Sequence, residues 1–180
     1  MKRMSNDAVF KVAKRKIWDL VWPNLYEALV SLAYELIQSA EFEKEYMNLT
    51  GNTLTSYAVG IYKDGVLIEI IQNSKLRPPI RVKVTRGEVL VDFRDYDGNF
   101  RKKFVGIVKT DSGWGDDTSI KFLTSYDPPF RGSKTGIVMC TGTEYSEFLE
   151  MQGANVLTAT KKEFEAFGES MLIRNLRPIK

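Results

Sequence analysis

Residues 50–56 read Thr50-Gly51-Asn52-Thr53-Leu54-Thr55-Ser56, a short polar stretch set between a long apolar-striped helix and a β-hairpin. Threonine can cap a helical turn through its hydroxyl, and glycine accepts backbone geometry that a side chain resists. Leu54 to Ser56 then read as one helical turn. Upstream, a helix is predicted over roughly 24–47, where Leu25, Tyr26, Ala28, Leu29, Val30, Leu32, Ala33, Tyr34, Leu36 and Ile37 leave only a narrow polar stripe. That stripe is Glu27, Ser31, Glu35 and Gln38. A helix so apolar must be covered on nearly all sides. Either a sheet and another helix or a neighbouring subunit cover it, or the N-terminal helix and the later β-rich region do. Downstream, the runs 57–62 and 66–71 flank Lys63-Asp64-Gly65, a strong hairpin signal.

Working outward, Val9, Phe10, Ala13, Ile17, Leu20 and Val21 recur at helical spacing with Lys11, Lys14 and Arg15 opposite. Trp22-Pro23 interrupts this pattern and predicts two consecutive helices, or one helix kinked there. Past the hairpin, Ile80, Val82 and Val84 alternate with polar residues as in a half-buried strand. Residues 88–94 and 100–108 form a second predicted hairpin across Asp95-Tyr96-Asp97-Gly98-Asn99. The stretch 110–134 is loop-rich, with a short strand expected at 119–124. A buried strand at 136–140, a short helix at 144–152 and a strand or extended segment at 155–160 follow. Thr160 is expected to cap a terminal helix over 161–173, before a basic tail.

The chain has 180 residues, 43% hydrophobic and 27% charged, which suits one globular domain with a sizeable core. No apolar run approaches the ~20 residues of a membrane span, and the N-terminus reads as amphipathic, so no signal peptide or membrane association is expected. The net charge of +3 does not by itself imply a nucleic-acid partner. It is unevenly spread: Lys2, Arg3, Lys11, Lys14, Arg15 and Lys16 face only Asp7 among the first 18 residues. The single cysteine, Cys140, excludes an internal disulfide.

Histidine is absent, which removes the commonest general base and metal ligand along with every Ser-His-Asp or Cys-His site. Asp95-x-Asp97-Gly98 fails as a calcium loop, because Phe93 and Phe104 would occupy the first and twelfth ligand positions. Asp116 and Asp117 are adjacent carboxylates without a third ligand, and a histidine-free hydrolase using them is the least favoured reading. Lys134-Thr135-Gly136 lacks the Ser-x-x-Lys nucleophile that would give it meaning. No catalytic, cofactor-binding or metal-binding residue is assigned, and no enzyme activity is expected. The alternative is a single-stranded nucleic-acid-binding module. Phe100-Arg101-Lys102-Lys103-Phe104 interleaves aromatics with cations, making Arg101, Lys102 and Lys103 candidate nucleic-acid contacts. The same residues also read as a basic hairpin edge that discourages aggregation.

A second stretch, Tyr145-Ser146-Glu147-Phe148-Leu149-Glu150-Met151-Gln152-Gly153, places Tyr145, Phe148 and Leu149 on one helical side, while Glu147 and Glu150 can face partners. With Thr50, Gly51, Leu54 and Ser56 it resembles the neck, or tail-completion (head–tail joining), proteins of tailed bacteriophages. In that family a long helix leads into a Thr-Gly-x-Leu-x-x-Ser-like turn, and a Tyr-Ala-x-Tyr/Phe-Val-Glu-x-Gly-like helix comes later. Here one residue is added before Leu54, Ser146 replaces alanine, and one residue is added before Gly153. The resemblance covers roughly 20–71 and 136–173, leaving 72–135 as an insertion.

The resemblance implies a structural virion protein made in the host cytoplasm. It would form a homo-oligomeric ring at the head–tail junction, beside other neck, portal-adaptor or tail proteins. Basic residues near the N-terminus or at 101–103 would line a passage for genomic DNA. Trp18, Trp22, Tyr26, Tyr34 and Trp114 are candidate interface residues, since aromatics concentrate in interface cores. The expected fold is α+β, one domain over 1–180: a long N-terminal helical part (1–48) packed on an antiparallel sheet, a short helix and a C-terminal helix, with a β-rich insertion at 72–135.

Overall fold

The computed structural model describes residues 6–80, 84–106, 113–129 and 134–177. Its order is α1 (Asn6–Glu43), α2 (Asn52–Thr55), β1 (Ala58–Lys63), β2 (Val66–Gln72), α3 (Asn73–Leu76), β3 (Val89–Arg94), β4 (Phe100–Val105), α4 (Gly115–Ser125), β5 (Thr135–Cys140), α5 (Ser146–Met151) and α6 (Thr158–Asn175). The class is α+β, with the long N-terminal helix lying on antiparallel strands. The strand expected at 80–84 falls on 81–83, outside the described residues.

β1 is the middle strand of a three-stranded antiparallel sheet ordered β2-β1-β5. Val59, Ile61 and Ile71 point to one face, where they pack with Leu29, Ala33, Ile37 and Ala40 of α1. α6 runs antiparallel beside α1, as the pairs Arg174–Glu35 (2.7 Å) and Ser39–Thr160 (3.4 Å) show. Met171 joins Leu32 and Leu36 in a satellite core between the two helices. Of the ways to cover helix 24–47, the sheet and α6 are the ones used. Its apolar stretch is buried within the chain from Ala28 to Ala40 and ends at Glu43.

One open choice is resolved and two expectations need correction. Of the two alternatives at Trp22-Pro23 the single helix is the one formed, α1 continuing through Pro23, with Trp22 and Leu25 on either side packed against the main core. Residues 119–124 are helical, within α4, and not a strand. Ser119 and Leu123, one turn apart, are fully buried on the second face of the sheet. There the Tyr62 hydroxyl donates to the Leu123 carbonyl (2.6 Å) and Ser119 Oγ donates to the Ser56 carbonyl (2.5 Å). Burial of that one face outweighs the β-leaning content of Ile120, Phe122 and Thr124. Finally, the stretch 155–160 is not extended: α6 already starts at Thr158, so Thr160 is a buried residue of its first turn and not its cap.

The hairpin β3–β4 forms a separate two-stranded sheet. Its turn is anchored: Tyr96 N–H donates to the Asn48 carbonyl (2.9 Å), Lys44 pairs with Asp97 (2.6 Å), and the Tyr96 hydroxyl donates to the Pro78 carbonyl (2.9 Å). Its strands are covered much less, and Val89, Val91, Phe100 and Val105 are exposed. So the insertion is not purely β-rich: it holds this hairpin and α4.

Candidate functional site

The two motifs, far apart in sequence, meet in space. Gly51 adopts a left-handed backbone (φ 80°), and a Cβ there would sit 2.6 Å from the Tyr96 ring. Glycine is therefore required twice over, by the turn and by the hairpin that rests on it. Gly51 occupies the N-cap position of α2 without any side-chain cap, so the Thr50 hydroxyl does not have the capping role expected of it. Leu54 is fully buried in the main core. Thr53 Oγ1 donates to the Tyr145 hydroxyl (3.0 Å), and the Ser56 and Thr141 hydroxyls lie 2.6 Å apart. The Asn52 side chain accepts from Gly115 N–H (2.8 Å), which ties the start of α4 to the same turn.

In the second motif, burial raises the Tyr145 phenol above its ordinary pKa. Leu149 packs on the main core. Phe148 does not join them and is exposed, because α5 turns only one narrow side inward. Glu150 does not face a partner either. Its Oε1 accepts the backbone N–H groups of Leu157 and of Thr158 (2.8 Å), supplying the cap that α6 lacks from its own residues. Burial alone would raise this carboxyl, but those donors outweigh it and the net direction is down. Gly153 has a left-handed backbone (φ 76°) and closes α5.

The candidate interface aromatics divide. Trp18, Trp22 and Tyr26 form a ladder on α1, with ring centroids 6.3 and 5.9 Å apart. Lys63 Nζ stands 4.2 Å above the Trp22 ring, and Tyr26 hydrogen-bonds Glu69 of β2. All three are half-buried, and Trp22 and Tyr26 pack against the main core of their own chain. The buried Trp18 indole N–H has no partner among the described residues. Tyr34 faces outward, and Trp114 is half-buried at the start of α4.

The main apolar surface left uncovered lies elsewhere. Residues 9–17 of α1 are exposed without interruption. Val9 (52%), Phe10 (76%), Ile17 (63%) and Leu20 (66%) keep much of their surface in water. At 100° per residue their stripe is rotated by roughly 140° from the stripe that α1 buries in the core. The first half of the helix is thus an arm with an apolar face of its own, which the candidate residue set overlooked. Projecting the two stripes on one helical wheel would have revealed it.

On the basic hairpin, Arg101 has a partner within the chain. Its Nε binds Asp95 Oδ2 at 2.7 Å, and the Asp95 side chain is fully buried. Burial would raise the Asp95 carboxyl, but Arg101 and the Asn99 N–H draw it below the usual range. Lys102, Lys103 and Phe100 are exposed, while Phe104 is half-buried opposite Leu90.

Asp116 and Asp117 lie in the first turn of α4, where carboxylates complement the helix dipole. Among the described residues no group of three metal-ligating side chains comes together. Burial pushes the Cys140 thiol up to about 11, the wrong direction for a nucleophile. A groove of about 250 Å³ between α1, β5 and α6 is lined, among the described residues, by Leu36, Ile137, Met139, Leu157, Lys161 and Phe164. Among the described residues no helix is long and apolar enough to cross a membrane. Comparisons with protein-family models, with curated proteins and with solved structures find no match to this chain.

Proposed function

We propose that the protein is a structural subunit of a multi-copy assembly, a ring component at the head–tail junction of a tailed-phage virion. The observation that carries this reading is the α1 arm, which holds Val9, Phe10, Ile17 and Leu20 in solvent. Contiguous exposed apolar surface of this kind marks a surface made to be covered. The two family-like motifs support the same reading from another direction, since both serve to join elements and neither presents a reactive group. Mass photometry and cryo-EM of the protein with the neighbouring neck proteins should give rings or stacked assemblies, and purified virions should contain it. A strict monomer absent from virions defeats the proposal.

A second reading draws on the hairpin alone. Phe100 and Lys102 are exposed on one face of β4 and Lys103 on the other, a ring and two cations suited to stacking and phosphate contact with single strands. Titration with a single-stranded oligonucleotide should then show salt-sensitive binding that Lys102→Glu with Lys103→Glu abolishes. Binding unaffected by that pair of substitutions excludes it.

A further inference from the structure

Phe10, Ala13, Ile17 and Leu20 follow one another at steps of three, four and three residues, the spacing of a seam that packs on another surface or helix. Lys14 and Lys16 flank this seam, one on each side and each roughly 80° round the helix from it, while Lys11 and Arg15 lie on the far side; all four are exposed. Two such arms side by side would bring like charges together, so arm-to-arm pairing is disfavoured. The complementary surface is an apolar patch edged with carboxylates.

The chain carries one. Residues 135–160 contain Glu144, Glu147 and Glu150 and no lysine or arginine. Glu150 is turned inward onto α6, but Glu144, Glu147, Phe148 and Met151 are exposed on the outer side of α5 and the turn before it. Within α5, Glu147, Phe148 and Met151 lie on one side, about 100° wide, and Glu144 stands in the turn just before it. Phe148 is 54% exposed and Met151 77% exposed.

The arm cannot reach this patch in its own chain. α5 lies by the C-terminal end of α1, where Glu45 N–H donates to the Ala154 carbonyl (3.1 Å). The middle of the arm is about thirty residues away along a continuous helix, roughly 45 Å at 1.5 Å per residue. The two surfaces therefore sit at opposite poles of the protomer.

We infer that the basic apolar arm of one copy docks on the acidic apolar face of α5 in the next copy. Such a contact is head-to-tail, so it propagates from copy to copy and closes where the rotation permits. This rests on the assembly reading above and names the surfaces that join.

The test is a reciprocal charge swap on the full chain, read by sedimentation velocity and mass photometry. One variant carries Lys14→Glu and Lys16→Glu, the other Glu144→Lys and Glu147→Lys. The wild type should self-associate with increasing concentration. Each variant alone should associate about a hundredfold more weakly, because like charges then face each other. Mixing the two should restore association in alternating order. If the wild type associates and neither variant weakens it, arm-to-α5 docking is wrong while the assembly reading stands. Loss of association in the arm variant alone, with no rescue on mixing, shows that the arm binds another surface and likewise overturns the pairing. A wild type that stays monomeric at every soluble concentration overturns the docking by itself. Presence or absence of the protein in virions then decides the broader reading separately.

Discussion

Thr53 donates a hydrogen bond to the Tyr145 hydroxyl at 3.0 Å, across 92 residues of sequence. It is one of the bonds by which the α2 turn holds α5, α4 and the hairpin in place. Tyr145→Phe should cost about 1 kcal/mol, the net worth of one such bond. Thr53→Val should cost a similar amount. The double variant should fall short of additivity by about 0.5–1.5 kcal/mol in urea unfolding. Full additivity would mean that the two hydroxyls do not interact.

Gly51→Ala should destabilise the fold by about 1–3 kcal/mol, from left-handed strain together with a clash. The new methyl would meet the Tyr96 ring at 2.6 Å. In a Tyr96→Ala background the same substitution should cost less, leaving only the backbone term. Thermal unfolding of the four proteins separates the two causes.

Glu150→Gln should weaken α6 by about 1 kcal/mol, the usual scale of a lost helix cap. Its folded-state pKa is depressed, so the unfolded chain takes up the proton first as the pH falls. The stabilisation is present above the ordinary carboxylate value of about 4, and it is lost as the pH drops toward the lower folded value. The wild type should therefore lose more stability than Glu150→Gln does on acidification through that window. Denaturation midpoints across the acid range check this.

Arg101 and Lys103 are both β4 cations, yet they should behave differently. Arg101→Met strands the buried Asp95 carboxylate and should cost about 1–3 kcal/mol, a discounted figure because the guanidinium is partly in water. Lys103→Met should change stability by less than about 0.5 kcal/mol. Equal effects in chemical denaturation would remove the structural role given to Arg101.

Phe10→Ser with Ile17→Ser should leave the unfolding free energy nearly unchanged, within about 0.5 kcal/mol per site, because neither side chain is buried. Leu32→Ala on the same helix should cost about 2–5 kcal/mol, since that residue is buried between α1 and α6. A large loss from the arm pair would show that the arm packs on its own domain.

Some of this was legible in advance. Asp64-Gly65 specified the first hairpin, and both residues take positive φ (54° and 85°) as a tight two-residue turn demands. The strand-like runs on either side of it gave β1 and β2, and the apolar content of the helix expected over 24–47 called for cover on nearly all sides. α4 was misread because Ile120, Phe122 and Thr124 have no strong helical preference. Its helicity follows from Ser119 and Leu123 finding a place on the sheet. Glu150 was assigned to the outside for a related reason: its partners, the N–H groups of Leu157 and Thr158, exist only once α6 begins beside α5.

Sequence alone determined the local facts: where the chain turns, which runs alternate with period two, and that no histidine chemistry is available. Tertiary structure alone decided which apolar stripe of α1 is covered. Two stripes on one helix look equivalent in sequence, because hydrophobicity is a property of side chains, whereas burial depends on what stands opposite. The sheet and α6 meet the stripe from Ala28 to Ala40, and residues 9–17 extend past the end of both.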